Sequence, residues 1–243
     1  MGEAKRRKQT GAPSPRRNAN KKPMIIAVSV AVVIAVIAGV YTMTRPPAPT
    51  SESLPVAAPD SPGFPAILDQ YGISVGPDDA PVVVREFADY QCPACATFAS
   101  ASKRLKDEYI DTGKVRFVYF DLPLRQHQNA VPAAQAARCA GDQGQYWQMH
   151  DKLYDAQREW SGSNNPTATF TRYANGLGLD ERRFNRCMTT ELHKEAVEDS
   201  LQVATQMRVM STPTVMVDNI QLTRPGWGQL SAVVERELNK AEN

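Results

Sequence analysis

The tetrapeptide Cys92-Pro93-Ala94-Cys95 separates two stretches of different periodicity, and no feature of the chain narrows its fold more. Before it, Pro81-Val82-Val83-Val84, continued by Glu86-Phe87, reads as a buried strand. After it, Cys95 to Tyr109 places Phe98, Leu105 and Tyr109 on one face of a helix. Cys92 then falls at the helix N-cap and Pro93 at the first helical position, where a missing N–H is harmless. The Cys92 sulfur should face the unsatisfied N–H groups and the positive end of the helix dipole. A thiol of ordinary pKa, about 8.5, is only about 3% ionised at pH 7, whereas CxxC pairs and helix N-termini lower it to roughly 3.5–7.5. Cys92 is therefore the candidate nucleophile, Cys95 its more buried resolving partner, and Cys92–Cys95 a candidate redox disulfide.

Nearly equal totals of basic and acidic residues, 28 and 26, hide a division along the chain. Residues 1–23 carry eight basic side chains against Glu3, a net of +7, which leaves the remainder at −5. Met24 to Met43 is apolar and uncharged, and about 20 such residues span the ~30 Å hydrocarbon core of a bilayer. The positive-inside rule makes 1–23 a basic cytoplasmic tail, 24–43 a transmembrane anchor, and everything beyond Arg45 extracytoplasmic. A cleaved secretory signal is the competing reading, but such signals have apolar cores of about 7–15 residues, and Ala38-Gly39-Val40 is a poor cleavage site. Either reading exports the domain. The tail's position beside the apolar run accounts for its charge, so no nucleic-acid partner is expected. Residues 44–65 hold seven prolines among Ala, Ser and Thr and read as a semi-rigid linker, which at about 3.1 Å per residue reaches roughly 70 Å.

From about residue 66 to 243 the pattern is mixed. Lys114 to Phe120 reads as a second strand, and roughly 126–207 is helical in period: Asn129–Ala140, Gln145–Ala156, Phe170–Leu177, Asp180–Met188 and Glu191–Met207. Pro213 to Val217 and Ile220 to Leu222, joined by Asp218-Asn219, read as a hairpin, and a last helix runs from Trp227 to about Lys240. This is the element order of an α/β thioredoxin fold carrying a helical insertion, here preceded by one transmembrane helix.

Three segments carry a resemblance. Phe87-Ala88-Asp89-Tyr90-Gln91-Cys92-Pro93-Ala94-Cys95, the stretch Ala136-Ala137-Arg138-Cys139 through Tyr146-Trp147-Gln148-Met149-His150-Asp151, and Ser211-Thr212-Pro213-Thr214-Val215 together resemble the exported, membrane-anchored DsbA-like thiol:disulfide oxidoreductases. The similarity runs from about Val75 to the C-terminus. It implies disulfide exchange on reduced exported proteins, reoxidation by a DsbB- or VKOR-like membrane partner, and no metal or dissociable cofactor. It also implies a cis peptide at Thr212-Pro213, beside Cys92, offering backbone groups to an extended substrate. Glu86 stands where the family has a buried acid, a proton relay for Cys95. Its competing reading is a solvated strand residue, since Arg85 and Glu86 point to opposite faces and only one is expected inward. Related proteins carry a second bridge, which maps to Cys139–Cys187; two buried free thiols are the alternative. A lone CxxC lacks the second ligand pair of a zinc site. His150, on a helix with Trp147 and Leu153, reads as a histidine at the core's edge, and His127 and His193 carry no motif. The enterobacterial oxidases have Pro-His between the cysteines, and Ala94 offers no imidazole. A reductase or isomerase using the same site therefore stays beside the oxidase reading, with a non-catalytic polypeptide-binding module as the more distant rival.

Overall fold

Val82–Ala88 forms strand β2, in which every residue but Val83 is buried, so this strand has no solvent face. A computed structural model of the chain describes residues 53–57 and 63–242; the segments read as tail and anchor, and much of the linker, lie outside the described residues. Among the described residues no helix is long and apolar enough to cross a membrane. The sheet has five strands in the order β1-β3-β2-β4-β5, with β1 at Ile73–Val75, β3 at Val115–Asp121, β4 at Thr214–Val217 and β5 at Ile220–Gln221. β2 and β3 are parallel, pairing Glu86 with Tyr119, while β4 runs antiparallel to β2 and pairs Val215 with Glu86. The β4–β5 hairpin turns at Asp218-Asn219, where Asp218 adopts a φ of 51°. β1, between Gly72 and Gly76, pairs with β3 and is too short to show periodicity in sequence. A side chain at Gly76, at φ 100°, would meet the Val115 carbonyl at 2.5 Å, so glycine is required where the chain crosses β3.

Helices cover both faces. α1 (Pro93–Leu105) and α8 (Trp227–Ala241) pack on one side with Val82, Val84, Phe117, Val215 and Val217. The expected helix through Tyr109 instead widens into a π-turn at Lys106–Ile110, closed by the Asp111 N–H on the Lys106 carbonyl at 2.9 Å. The wider turn lets the adjacent residues Tyr109 and Ile110 both reach the core.

The insertion comprises α2 (Ala130–Gly141), α3 (Tyr146–Asp155), α4 (Gln157–Trp160), α5 (Pro166–Gly176) and α6 (Glu181–Thr189), built around the fully buried Trp160, Phe170 and Phe184. α7 (Lys194–Gln206) starts three residues later than its periodicity suggests, because Glu191 takes a φ of 49° and breaks the helix. α7 and a 3-10 turn at Ala66–Tyr71 cover the second sheet face, where Phe64, Phe87, Val118, Phe120 and Val203 cluster.

Two expectations are corrected here. Arg85 and Glu86 do point to opposite faces, yet both are buried, because both faces are covered; Arg85 meets Asp69 through two hydrogen bonds, at 2.7 and 2.8 Å. Packing also begins inside the stretch read as linker. Phe64 is buried, its N–H donates to Asn219 Oδ1 at 2.8 Å, and the Pro55 carbonyl accepts from Arg236 at 2.7 Å.

Candidate active site

Strand β2 delivers the chain into the loop Asp89-Tyr90-Gln91, and the Cys92 N–H closes it on the Asp89 carbonyl at 3.0 Å. Cys92 is the N-cap of α1 in extended conformation, Pro93 begins the helix, and Ala96 N–H donates to the Cys92 carbonyl at 3.1 Å. The two cysteines are present as free thiols, Cys92 8% exposed and Cys95 fully buried, so only Cys92 offers its sulfur to another molecule.

Their proton affinities diverge accordingly. Cys92 is lowered to about 5, chiefly by the Cys95 thiol donating to it, with further help from the Thr212 side chain and the N–H groups of Cys95 and Ala94, against an opposing effect of burial. Cys95 is pushed far above the usual thiol range by burial, then by its donation to Cys92 and by the nearby Glu86 carboxyl. One proton is thus held by Cys95 between two sulfurs.

Thr212-Pro213 is cis, and the Thr212 carbonyl lies 3.7 Å from Cys92 Sγ. The carbonyl can accept only from the protonated thiol. Thr212 Oγ1, buried and without a protein partner, is the group in this loop able to donate to the thiolate. Glu86 is 1% exposed on the α1 side of the sheet, where Ser102 Oγ donates to its Oε2 at 3.1 Å and its Oε1 has no protein partner. Burial raises its pKa to about 8, with the Ser102 hydrogen bond acting the other way. A carboxyl that is mostly protonated at neutral pH beside the buried sulfur is equipped to give and take a proton.

The loop before Cys92 is tied down on two sides. Asp89, 2% exposed, accepts from the Gln91 and Leu124 N–H groups at 2.7 and 2.8 Å and meets His127 Nδ1 at 2.7 Å. On the insertion side, Gln91 Oε1 accepts from the Asn129 N–H at 2.7 Å and its amide donates to the Ser161 carbonyl at 2.7 Å. Gln157 Nε2 donates to the carbonyls of Tyr90 and Cys92 at 2.7 and 2.9 Å. Asn129 and Gln157 stand far from Cys92 in sequence, and Ser102 lies in α1 itself, all in helical stretches whose periodicity reports only burial. The one local signal was polar residues at positions the period assigns to a buried face.

His150 lies deeper than the core's edge. It is 3% exposed, bonded through Nδ1 to Tyr90 Oη at 2.9 Å, and ringed by Tyr90, Tyr119 and Tyr154; burial, with Lys103 adding to it, lowers its pKa to about 3. It is a neutral packing residue that steadies Tyr90, two positions before Cys92. Cys139 and Cys187 form a disulfide joining α2 to α6, remote in the chain from the CxxC pair. His193 Nε2, beside that bridge, sits 2.9 Å from Asp142 Oδ2.

A nucleophilic thiolate at a helix N-terminus, a protonated buried partner and a cis-proline loop against the sulfur define a thiol:disulfide oxidoreductase. Comparison with known proteins places the chain more closely. Residues 69–236 match the family model described as Thioredoxin, and the chain belongs to that family as a DsbA-like thiol:disulfide oxidoreductase. It is 32% identical over 174 residues to the probable disulfide bond formation protein D of Bacillus anthracis, covering 69% of this chain and 78% of that protein. Among solved structures, oxidised BdbD from Bacillus subtilis superposes with a TM-score of 0.65 at 24% identity, covering 77% of this chain and 100% of that one. Alpha-DsbA1 of Wolbachia pipientis gives 0.64 at 20% identity, covering 70% and 92%. These two likenesses speak to the fold.

Proposed function

We propose that this oxidoreductase donates its Cys92–Cys95 disulfide to reduced exported proteins, acting outside the membrane that its N-terminal segment is read to span. One observation carries the direction: in the dithiol form Cys92 is lowered to about 5, a stabilised thiolate. Whatever stabilises the reduced form makes the disulfide form the stronger oxidant.

A substrate thiolate attacks Cys92 Sγ, the more accessible of the two sulfurs; the new S–S bond forms as the Cys92–Cys95 bond breaks, and the electron pair leaves on Cys95. Glu86, protonated up to about pH 8, supplies the proton that Cys95 takes up. The substrate's second thiolate then attacks its own sulfur in the mixed disulfide, and Cys92 departs as the stabilised thiolate. Two electrons pass from substrate to enzyme. The Thr212-Pro213 loop presents main-chain groups that hold an extended substrate strand across the sulfur. The relatives named for disulfide bond formation support this direction. The +7 tail and the uncharged run 24–43 support an anchored, extracytoplasmic domain and a DsbB- or VKOR-like membrane partner as the oxidant.

The deciding experiment is the equilibrium reduction potential of the Cys92–Cys95 couple in the full-length chain, measured beside Cys139→Ser/Cys187→Ser to separate the two pairs. A value of about −120 to −150 mV is expected of a disulfide donor, and one near ~−270 mV makes the same site a reductase. The absence of an imidazole at Ala94 is the observation that favours that second direction. A binding module on this scaffold would keep its cellular activity in Cys92→Ser, whereas the exchange mechanism loses it.

A further inference from the structure

The carbonyls of Tyr90 and Cys92 converge on one side chain. Gln157, first residue of α4 and 8% exposed, meets them from a single nitrogen, at 2.7 and 2.9 Å. A primary amide carries two donors in one plane, so both carbonyls are served at once and the orientation of the amide is settled by them. The Cys92 carbonyl already accepts the first helical N–H, from Ala96, so Gln157 adds a second donor to the residue on which α1 begins. Where a carbonyl points fixes the plane of its peptide. A carbonyl of Tyr90 or Cys92 turned towards the sulfur would set a partial negative charge against a thiolate; turned towards Gln157, it leaves the N–H groups of Ala94 and Cys95 to face that sulfur.

We propose that Gln157 is a positioning residue of the redox site, holding the peptide planes around Cys92 so that its sulfur faces the donors of the first turn of α1 and neither carbonyl that Gln157 holds. The helical insertion is then a working part of the dithiol site, reaching it through Gln157 and, one residue along, through the pairing of Gln91 with Asn129 and Ser161. The proposal rests on Cys92 being the attacking thiol.

The test is the thiolate absorbance at 240 nm of the reduced full-length protein, followed against pH. Gln157→Met keeps the side-chain length and removes both donors; its titration midpoint should rise by about one pH unit, a tenfold gain in the thiolate's affinity for a proton. Gln157→Asn, whose amide falls one methylene short, should rise by less. Phe170→Leu disturbs ring contacts to Trp160 and Tyr173 in the same insertion and should lower stability while leaving the midpoint in place. A folded Gln157→Met with an unmoved midpoint overturns the proposal; if that variant does not fold, an unmoved midpoint in Gln157→Asn does so. Cys92→Ser separates the two readings. If the low-pH titration survives in it, the assignment of Cys92 falls and the role of Gln157 with it; if the titration is lost there yet unmoved by Gln157→Met, only the role of Gln157 falls.

Discussion

Replacing Glu86 by glutamine should stabilise the reduced protein at neutral pH and leave it unchanged in acid. Burial raises the carboxyl from 4.5 to about 8 in the folded chain, so the native state holds a proton that the unfolded state releases above 4.5. The stability this proton provides is complete below 4.5 and is lost as pH climbs towards 8, at 1.36 kcal/mol for each unit. At pH 7 the deficit is about 3 kcal/mol. An amide keeps the shape and the acceptor for Ser102 without this titration. Cys92 works in the opposite sense: its pKa falls from 9.0 to about 5, so its contribution to the reduced state grows as pH rises through that interval. The two slopes nearly cancel in the parent, and the raw pH profile is a poor witness. The informative quantity is the difference between Glu86→Gln and parent in urea unfolding of the reduced chain, at pH 4.5 and at pH 7. The variant should match the parent at the lower pH and exceed it by about 3 kcal/mol at the higher. Equal stability at both would refute a buried, proton-bearing Glu86. The same variant should turn over more slowly as an oxidant, because Cys95 must then leave without a neighbouring acid.

Four further measurements bear on the site and its frame. Alkylation of the reduced protein should track a single thiolate with a midpoint near pH 5, while Cys95 stays unmodified in the folded state; a midpoint above 8 would remove the basis for the oxidase direction. Thr212→Val withdraws a buried hydroxyl from the Cys92 thiolate and should raise that midpoint and make the couple more reducing, with little change in the unfolding temperature of the oxidised form, in which Cys92 does not titrate. Cys139→Ser/Cys187→Ser opens a bridge spanning 48 positions and should lower stability by up to about 4 kcal/mol, leaving the Cys92 midpoint in place. Arg138→Met strands the buried Asp121, whose Oδ2 it meets at 2.7 Å, and should destabilise by roughly 3–5 kcal/mol. Adding Asp121→Asn should recover much of that loss, and a failure to recover would show that the pair is not the cause.

The four strands from β2 to β5 and the cysteine pair were legible in the chain because each depends on neighbours in sequence; the cis peptide at Thr212-Pro213 was expected from the family resemblance alone, and β1 was too short to read. Val82 to Phe87 announces a strand by composition, and Pro93 announces a helix start by its missing N–H. Asp218-Asn219 between two apolar runs announces a hairpin. Identity of Cys92 as the reactive thiol follows from the N-cap alone, since the N-terminal turn of any helix leaves its N–H groups open. Local sequence does not record which residues from elsewhere complete a site. That Arg85 and Glu86 are both buried required a second covered face, supplied by α7 and Phe64. That Glu86 meets a hydroxyl, and not a cation, was decided by the packing of α1 on the sheet, which sets Ser102 against it. Gln157 and Asn129 became partners of the Cys92 loop only when the insertion folded back over it. Periodicity reports how much of a residue is buried, through the free energy of removing apolar surface from water. Hydrogen-bond partners across 35 or 65 positions are chosen by packing, and packing belongs to the tertiary structure.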